Sequence, residues 1–305
     1  MDQRFCEGLW RLADPKISIT SLASMTIGGT LAARDGALDW HWHFVMLLAL
    51  FCMEVAKNAW GDVIDYDSGT DLAVAPADRT SFSGGKRVMV DNLLSRAQTW
   101  GIALAFGGCG VLLGVVIVLL REPSVVWIGV IGLVLGWSYH GPPLRLAYRG
   151  WGELDVVICY GPAIALSTYM VQTHTWSADV LWLSLPLGVF IAAFLWVNEF
   201  PDHDADVGAD KRNLIVRLGK GRASRLLPLI YLAGFVILGL APFATNLPVL
   251  AWLGYLALLP AGYAVYWTWR KPADFYRTKP VQPAALLAFA LFSAGAGAGV
   301  MVGAV

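Results

Sequence analysis

The sequence is poor in charge. Asp, Glu, Lys and Arg make up only 14% of its 305 residues, whereas a soluble domain carries about 25%. Hydrophobic residues reach 57%, which is more than a water-soluble core of this length requires. The composition therefore excludes an ordinary soluble enzyme and a disordered chain, and it predicts an integral membrane protein.

Cysteine and histidine are also scarce. The four Cys and five His residues form no CxxC pair and no zinc-type Cys/His spacing. This excludes a disulfide scaffold and a structural zinc site. The net charge is zero, from 22 basic and 22 acidic residues, so we expect no nucleic-acid partner.

The sequence is instead rich in long apolar segments, and a transmembrane helix needs about 20 mostly apolar residues. We predict nine such spans, near residues 17–34, 41–61, 97–120, 124–141, 154–172, 180–198, 225–246, 248–269 and 282–303. Together they predict an all-α integral membrane protein with a single transmembrane domain over residues 1–305. Residues 1–16 are amphipathic and predict an interfacial N-terminal helix that lies on the membrane lipid.

The positions of the cations predict the orientation. All Lys and Arg residues except Arg34, Lys57 and Arg121 lie before the first span or after even-numbered spans. Because cytoplasmic loops are rich in Lys and Arg, we expect a cytoplasmic N-terminus in a multi-pass protein of the cell membrane. The two long polar segments, 62–96 and 199–224, are then cytoplasmic loops.

Two acidic clusters with a common pattern follow spans 2 and 6. Each opens with an Asn and continues with spaced Asp residues: Asn58, Asp62, Asp65, Asp67 and Asp71 in the first, Asn198, Asp202, Asp204, Asp206 and Asp210 in the second. If the helices continue, the spacing i, i+4, i+8 places the leading members on one face. Pro201 disfavours a regular helix in the second cluster.

Carboxylates that share a helix face repel each other unless a cation lies among them. Mg²⁺ binds one or two carboxylates together with waters and substrate phosphates, so the two clusters predict a site for a magnesium-bridged diphosphate. Nearby cations could neutralise its charge: Lys211, Arg212, Arg79, Lys86 and Arg145. The alternative is a solvated membrane face with scattered ion pairs.

Three segments resemble motifs of the UbiA superfamily of intramembrane aromatic prenyltransferases. They are GDVIDYDSGTD (61–71), GPPLRLAYRGWGEL (141–154) and WVNEFPDHDADVGADKRNLIVRLG (196–219). The similarity is greatest to the branch that contains the 1,4-dihydroxy-2-naphthoate prenyltransferases of the menaquinone pathway. It implies nine transmembrane helices around a central cavity, where a polyprenyl diphosphate bound through Mg²⁺ transfers its prenyl group to an aromatic acceptor.

Matched position by position, the resemblance implies five metal ligands: Asp62, Asp65, Asp71, Asp202 and Asp206. We expect Asp62, Asp65, Asp202 and Lys211 to be catalytic. Five further side chains are expected at the diphosphate: Asn58, Asn198, Arg212, Arg79 and Arg145. Two positions depart from the family pattern, since Gly61 replaces an Asn and Asp67 replaces a commonly basic residue.

Aromatic rings in the cavity could stabilise the cation-like allylic carbon. The candidates are Tyr139, Tyr160 and Trp196, with packing or an interfacial belt as the alternative. Two other polar positions have structural interpretations. Glu54 could pair with Lys57, and His140 could cap span 4.

Two functional alternatives remain at this point. The same fold could act on another acceptor, such as a chlorophyll-type ring or a glycerol phosphate lipid. A cation transporter is the alternative from a different class, but its carboxylates should lie near the bilayer midplane. Here most acidic residues lie at one edge of the predicted spans.

Overall fold

The structure is a computed structural model that describes residues 3–303. Over that range it contains helices and connecting turns but no strand. The first half comprises α1 (Gln3–Ala13), α2 (Pro15–Arg34), α3 (Trp40–Asp67), α4 (Thr70–Ala73), α5 (Arg96–Leu120) and α6 (Val126–His140). Short 3₁₀ turns occur at Pro76–Asp78 and Pro123–Val125.

The second half of the chain continues the same all-helical pattern. Its helices are α7 (Leu146–Arg149), α8 (Gly152–Ile158), α9 (Ile164–Thr173), α10 (Ala178–Gly208), α11 (Leu214–Leu218), α12 (Lys220–Ala244), α13 (Leu258–Arg270), α14 (Phe275–Thr278) and α15 (Val281–Val302). A π-helical turn, Cys159–Ala163, joins α8 to α9, and a 3₁₀ segment, Val249–Ala257, leads into α13.

Eight helical segments of the described chain are long and apolar enough to cross a membrane: Trp40–Asp67, Arg96–Leu120, Pro123–His140, Gly152–Thr173, Ala178–Gly208, Lys220–Ala244, Val249–Arg270 and Val281–Val302. They correspond to predicted spans 2 to 9, and the prediction of an all-α membrane protein is confirmed. Helix α2 occupies the position of the first predicted span and packs against α9 and α15. Its 20 residues reach about 30 Å, but it is less apolar than the eight, so the ninth span remains a prediction.

The two helices that carry the acidic clusters are longer than predicted. Helix α3 continues to Asp67, and α10 continues through Pro201 to Gly208. The predicted loops 62–96 and 199–224 therefore begin on helices. Packing outweighs the missing N–H of Pro201, because the fully buried ring of Phe200 contacts the ring of Phe275.

Helix α10 is the centre of the molecule and forms one wall of the site. Phe190, fully buried, lies against Tyr231 and Phe235 of α12 and Phe292 of α15. On the opposite face of α10, Gly188 approaches the π-helical turn so closely that an added Cβ would clash with the carbonyl oxygen of Val157. This close approach brings α8 and the π-helical turn to the cavity.

Helix α1 forms as predicted and packs against α3. Its Leu12 is fully buried in a cluster with Val55, Ala59 and Val63 of α3. The side-chain amide of Asn58 donates a hydrogen bond of 2.8 Å to the backbone oxygen of Leu12. The interfacial role predicted for residues 1–16 stays a prediction, and residues 1 and 2 lie outside the described residues.

Candidate active site

The helices enclose a cavity of about 700 Å³. We call its two ends the motif end, where α3 and α10 terminate, and the apolar end, between α5 and α6. The motif end contains the side chains of eight predicted site residues: Asn58, Asp62, Asp65, Asp71, Asn198, Asp202, Asp206 and Lys211. The two acidic clusters, far apart in sequence, therefore face one shared space.

Lys211 joins the two clusters. Its ammonium lies 3.2 Å from Asp65 Oδ2 and 3.7 Å from Asp206 Oδ1. Burial alone would lower the pKa of Lys211, but the carboxylates of Asp65 and Asp206 raise it well above its ordinary value. The lysine therefore remains an ammonium at neutral pH. One cation is shared between two helices at the point where their carboxylates converge.

Several carboxylate and amide oxygens at the motif end are buried without a hydrogen bond, and one of them, Asp206 Oδ1, has only its ionic contact with Lys211. Among the described residues, both oxygens of Asp62 and one oxygen each of Asp71, Asn198, Asp202 and Asp206 are buried without a hydrogen bond. Buried polar groups are nearly always satisfied, and uncompensated carboxylates are costly. These oxygens therefore require a ligand that supplies positive charge or donors.

Asp71 reaches the same space from α4, beneath a glycine turn. Gly85 has φ +74°, and an added Cβ there would clash with the Asp71 carboxylate. Burial raises the pKa of Asp71 well above its ordinary value, and the negative charges of Asp65 and Asp62 raise it further. The turn fits closely over a carboxyl group that is stable as an anion only when a cation is near.

The donor set at the motif end fits Mg²⁺ bound together with a phosphate ligand. Over residues 3–303 no group of three or more His, Cys, Asp or Glu side chains is placed so that it could hold a metal ion by itself. Mg²⁺ does not require one, because it usually retains waters and takes one or two carboxylates plus substrate phosphates. The unpartnered oxygens from α3, α4 and α10 provide such partial ligation.

Three predicted diphosphate ligands lie away from the cavity wall, contrary to expectation. Arg212 pairs with Asp210 at 2.7 Å, and both side chains are exposed. The guanidinium of Arg79 donates to the backbone oxygen of Val74. Arg145 stacks on the ring of Tyr148, with 3.8 Å between the guanidinium carbon and the ring centroid. Local partners hold each of these side chains outside the cavity.

Of the three aromatic candidates, two line the cavity and one does not. Tyr139 and Tyr160 line the cavity. Trp196 does not, because it is buried in the helical core and its indole N–H donates to the backbone oxygen of Ala223 at 3.1 Å. Trp196 is thus a packing residue.

Two side chains contact Asp65, and sequence reasoning missed Tyr148. The hydroxyl of Tyr148 donates to Asp65 Oδ1 at 2.6 Å, and His140 Nε2 lies 3.6 Å from Asp65 Oδ2. His140 is the last residue of α6, consistent with the capping interpretation, and its buried ring also lines the cavity. Gly61 leaves room for its ring, since an added Cβ at Gly61 would lie 2.8 Å from His140 Cε1.

Asn213 was also missed, although its position carried a signal. Its side-chain amide donates to Asp206 Oδ2 at 2.8 Å, and its side-chain oxygen accepts from the backbone N–H of Val216. An Asn directly before the apolar segment LIVRL is typical of a helix N-cap. The cap of α11 therefore also orients a carboxylate of the second cluster.

The apolar end of the cavity opens sideways between α5 and α6. Val115 and Leu119 of α5, and Val130 of α6, line the cavity and are also 45%, 73% and 48% exposed. These two helices bury little of their surface inside the protein. In a membrane this opening would face lipid tails.

The fold and the cavity define a polytopic, all-helical membrane protein with a charged site at one end of an apolar cavity. Solved structures share this fold. The apo structure of a UbiA homologue from Aeropyrum pernix K1 has a TM-score of 0.70 at 17% identity, covering 93% of this chain and 97% of that one. A UbiA homologue from Archaeoglobus fulgidus bound to GPP and Mg²⁺ has a TM-score of 0.64 at 14% identity, covering 97% and 99%.

The UbiA prenyltransferase family matches residues 22–294, and the chain belongs to this family. Named relatives are prenyltransferases. The 1,4-dihydroxy-2-naphthoate octaprenyltransferase of Bacillus subtilis is 27% identical over 76% of this chain and 75% of its own. The 2-carboxy-1,4-naphthoquinone phytyltransferase of Synechocystis is 27% identical over 84% and 80%. The family resemblance is confirmed, and the chain is a prenyltransferase rather than a cation transporter.

Proposed function

We propose that this enzyme transfers a polyprenyl group from a polyprenyl diphosphate to an aromatic acceptor of the 1,4-dihydroxy-2-naphthoate type, with Mg²⁺ as cofactor. The observation that carries the proposal is the set of unpartnered oxygens facing Lys211 at the motif end. An Mg²⁺–diphosphate would supply the positive charge that the carboxylates lack. The apolar remainder of the cavity suits an isoprenoid chain.

The proposed roles follow from what each group can do. Asp62, Asp65, Asp71, Asp202 and Asp206 would hold the metal, which when bound neutralises negative charge on the departing diphosphate. Lys211 places a fixed ammonium beside the same oxygens and stabilises that charge as it develops. Tyr139 and Tyr160 present rings to the cavity, where an aromatic face favours the cation-like allylic carbon. The apolar walls exclude water from that carbon.

The acceptor class is supported by the relatives. The proteins from Bacillus subtilis and Synechocystis are named for naphthoate and naphthoquinone acceptors. A chlorophyll-type ring and a glycerol phosphate lipid are the alternative acceptors for this fold. We propose further that the motif end faces the cytoplasm, because the Lys and Arg residues concentrate at that end of the chain's helices.

A transfer assay tests the proposal. Purified protein in lipid nanodiscs is incubated with polyprenyl diphosphates of several lengths and a panel of aromatic acceptors, with Mg²⁺ or with a chelator. We expect transfer to a dihydroxynaphthoate only in Mg²⁺, and Asp62→Asn, Asp65→Asn and Asp202→Asn should each lower the rate by about 100-fold or more. Full activity of Asp202→Asn, or activity in chelator, contradicts the proposal.

The second cluster contains a matched control. Asp204 lies on the same turn of α10 as Asp202, but its side chain is 79% exposed and pairs with His203 rather than facing the cavity. Asp204→Asn removes the same charge from the same helix and should keep activity within about twofold. An equal loss in Asp204→Asn and Asp202→Asn would show that helix charge, not the site, controls the rate.

A further inference from the structure

A second polar group lies inside the cavity, away from the motif end. Lys57 and Asp155 both line the cavity wall, from α3 and α8. Lys57 precedes Asp62 by five residues, which places it about 7.5 Å further along the axis of α3. Neither residue belongs to the two acidic clusters.

The ammonium of Lys57 has no direct ionic partner. Within residues 3–303 no carboxylate oxygen lies within 4.0 Å of its nitrogen. It contacts the face of Tyr139, with 5.5 Å between the nitrogen and the ring centroid. The expected Lys57–Glu54 pair is absent, because Ser18 and Ser21 donate their hydroxyls to the two oxygens of Glu54. The three N–H donors of Lys57 therefore remain available to a ligand.

Asp155 presents a complementary group. It is 5% exposed and accepts only a weak hydrogen bond from the Cys159 thiol, at 3.6 Å. Its oxygens form no ion pair with Lys57, although both side chains line the same cavity. A gap thus separates a free ammonium from a carboxylate that can accept a hydrogen bond.

The subsite adjoins the proposed reaction centre through aromatic rings. The Tyr139 ring lies between Lys57 and His140, with 4.7 Å between the Tyr139 and His140 ring centroids. His140 in turn contacts Asp65. A flat ligand beside Tyr139 would therefore lie next to the first carbon of a chain whose diphosphate is held at the motif end.

We propose that Lys57 and Asp155 form the acceptor subsite, in which Lys57 binds the carboxylate of a hydroxylated aromatic acid and Asp155 accepts a hydrogen bond from its ring hydroxyl. This inference rests on the proposed function and adds the residues that select the acceptor. A buried ammonium selects an anion, since a ligand without the carboxylate leaves that charge unpaired. The diphosphate is not the ligand of Lys57, because the motif end already carries the unpartnered oxygens that hold its cation.

The test separates the two substrates. KM is measured for 1,4-dihydroxy-2-naphthoate, for 1,4-dihydroxynaphthalene, which lacks the carboxylate, and for the polyprenyl diphosphate. We expect Lys57→Met to raise KM for the naphthoate by about 10-fold or more. KM for dihydroxynaphthalene and for the diphosphate should stay within about twofold. Lys57→Arg should retain the preference for the acid, and Asp155→Asn should weaken both hydroxylated acceptors.

Lys220 provides a matched control. Its ammonium lies 5.4 Å from the ring centroid of Tyr276, almost the same contact, but it does not line the cavity. Lys220→Met should leave all three KM values unchanged. Equal effects of Lys57→Met on both acceptors, or an effect on the diphosphate alone, overturn the assignment.

Equilibrium binding of radiolabelled 1,4-dihydroxy-2-naphthoate to wild type, Lys57→Met and Lys57→Arg gives a readout independent of transfer. Binding that depends on the Lys57 charge in a protein that transfers no prenyl group would refute the proposed function and retain the subsite. Transfer that is unaffected in Lys57→Met would refute the subsite and retain the function.

Discussion

The ammonium of Lys211 lies 3.2 Å from Asp65, a carboxylate 146 residues earlier in the chain. This contact connects the two acidic clusters at the motif end, because the segment after α10 reaches across to the last turns of α3. Lys211 is the one cation of its basic pair that faces the cavity, whereas Arg212 turns outward to Asp210.

Lys211→Met should therefore disable the site without unfolding the protein. The substitution leaves Asp65 and Asp206 without their shared cation, and we expect the rate of prenyl transfer at saturating Mg²⁺ to fall by about 100-fold or more. Lys211→Arg should recover part of the rate. The control is Lys271→Met at an exposed position after α13, and a Lys211→Met enzyme as active as this control would contradict the role of Lys211.

Tyr148 is expected to position Asp65 rather than to contact substrate. Tyr148→Phe removes the 2.6 Å hydrogen bond to Asp65. Since loss of a partner that orients a metal ligand typically costs about 10- to 100-fold in metal affinity or activity, the Mg²⁺ concentration for half-maximal rate should rise within that range.

The chain offers a matched control for Tyr148. Tyr169 donates an equivalent 2.6 Å hydrogen bond to Asp35, at the opposite end of the molecule. Tyr169→Phe should leave the Mg²⁺ requirement unchanged. A shift of the Mg²⁺ requirement in Tyr169→Phe but not in Tyr148→Phe would contradict the positioning role of Tyr148.

The glycine turn over Asp71 can be tested by one methyl group. Gly85→Ala meets a left-handed backbone, which costs roughly 1–2 kcal/mol for a residue with a Cβ, and it also clashes with the Asp71 carboxylate. We expect lower affinity for the Mg²⁺–diphosphate. Gly36→Ala shares the positive φ, +72°, but has open space around it, so it should lower thermal stability slightly and leave substrate affinity intact.

The departure at Gly61 has a structural cause that a double mutant can expose. Gly61→Asn would drive a side chain into the His140 ring and should lower activity by about 10-fold or more. His140→Ala in the same chain removes the clash and should restore part of the rate. The two effects must then be non-additive, as expected for residues in contact. Strict additivity of the two losses would show that Gly61 and His140 act independently.

Much of this architecture was predictable because membrane spans and clustered carboxylates leave local signals. Apart from the ends of spans 2 and 6 and the start of span 7, the bounds of spans 2 to 9 were within about two residues of the observed helices. Asp62, Asp65, Asp202 and Asp206 do share one space. The extension of α10 through Pro201 was not predictable, since it depends on the packing of Phe200 against Phe275, 75 residues away.

The basic residues show where sequence reasoning reaches its limit. Charge and proximity made Arg212, Arg79 and Arg145 candidates for the diphosphate site beside Lys211. Their orientations depend on local partners, namely Asp210, the Val74 carbonyl and the Tyr148 ring. Lys57 presents the reverse case, because no periodic pattern identified a lone lysine in a span as a cavity residue. Only tertiary contacts distinguish a basic side chain that faces the cavity from one that is held outside it.

The sideways opening between α5 and α6 gives the two products of the proposed reaction separate exits. Diphosphate, which is soluble in water, leaves at the motif end, while the prenylated ring can partition directly into the bilayer past Val115 and Leu119. A long isoprenoid tail then need not fit inside the protein, because its far end can remain dissolved in lipid. The cavity would therefore contact only the part of the isoprenoid next to the diphosphate. The length of the transferred prenyl group would then depend on which polyprenyl diphosphates the cell supplies.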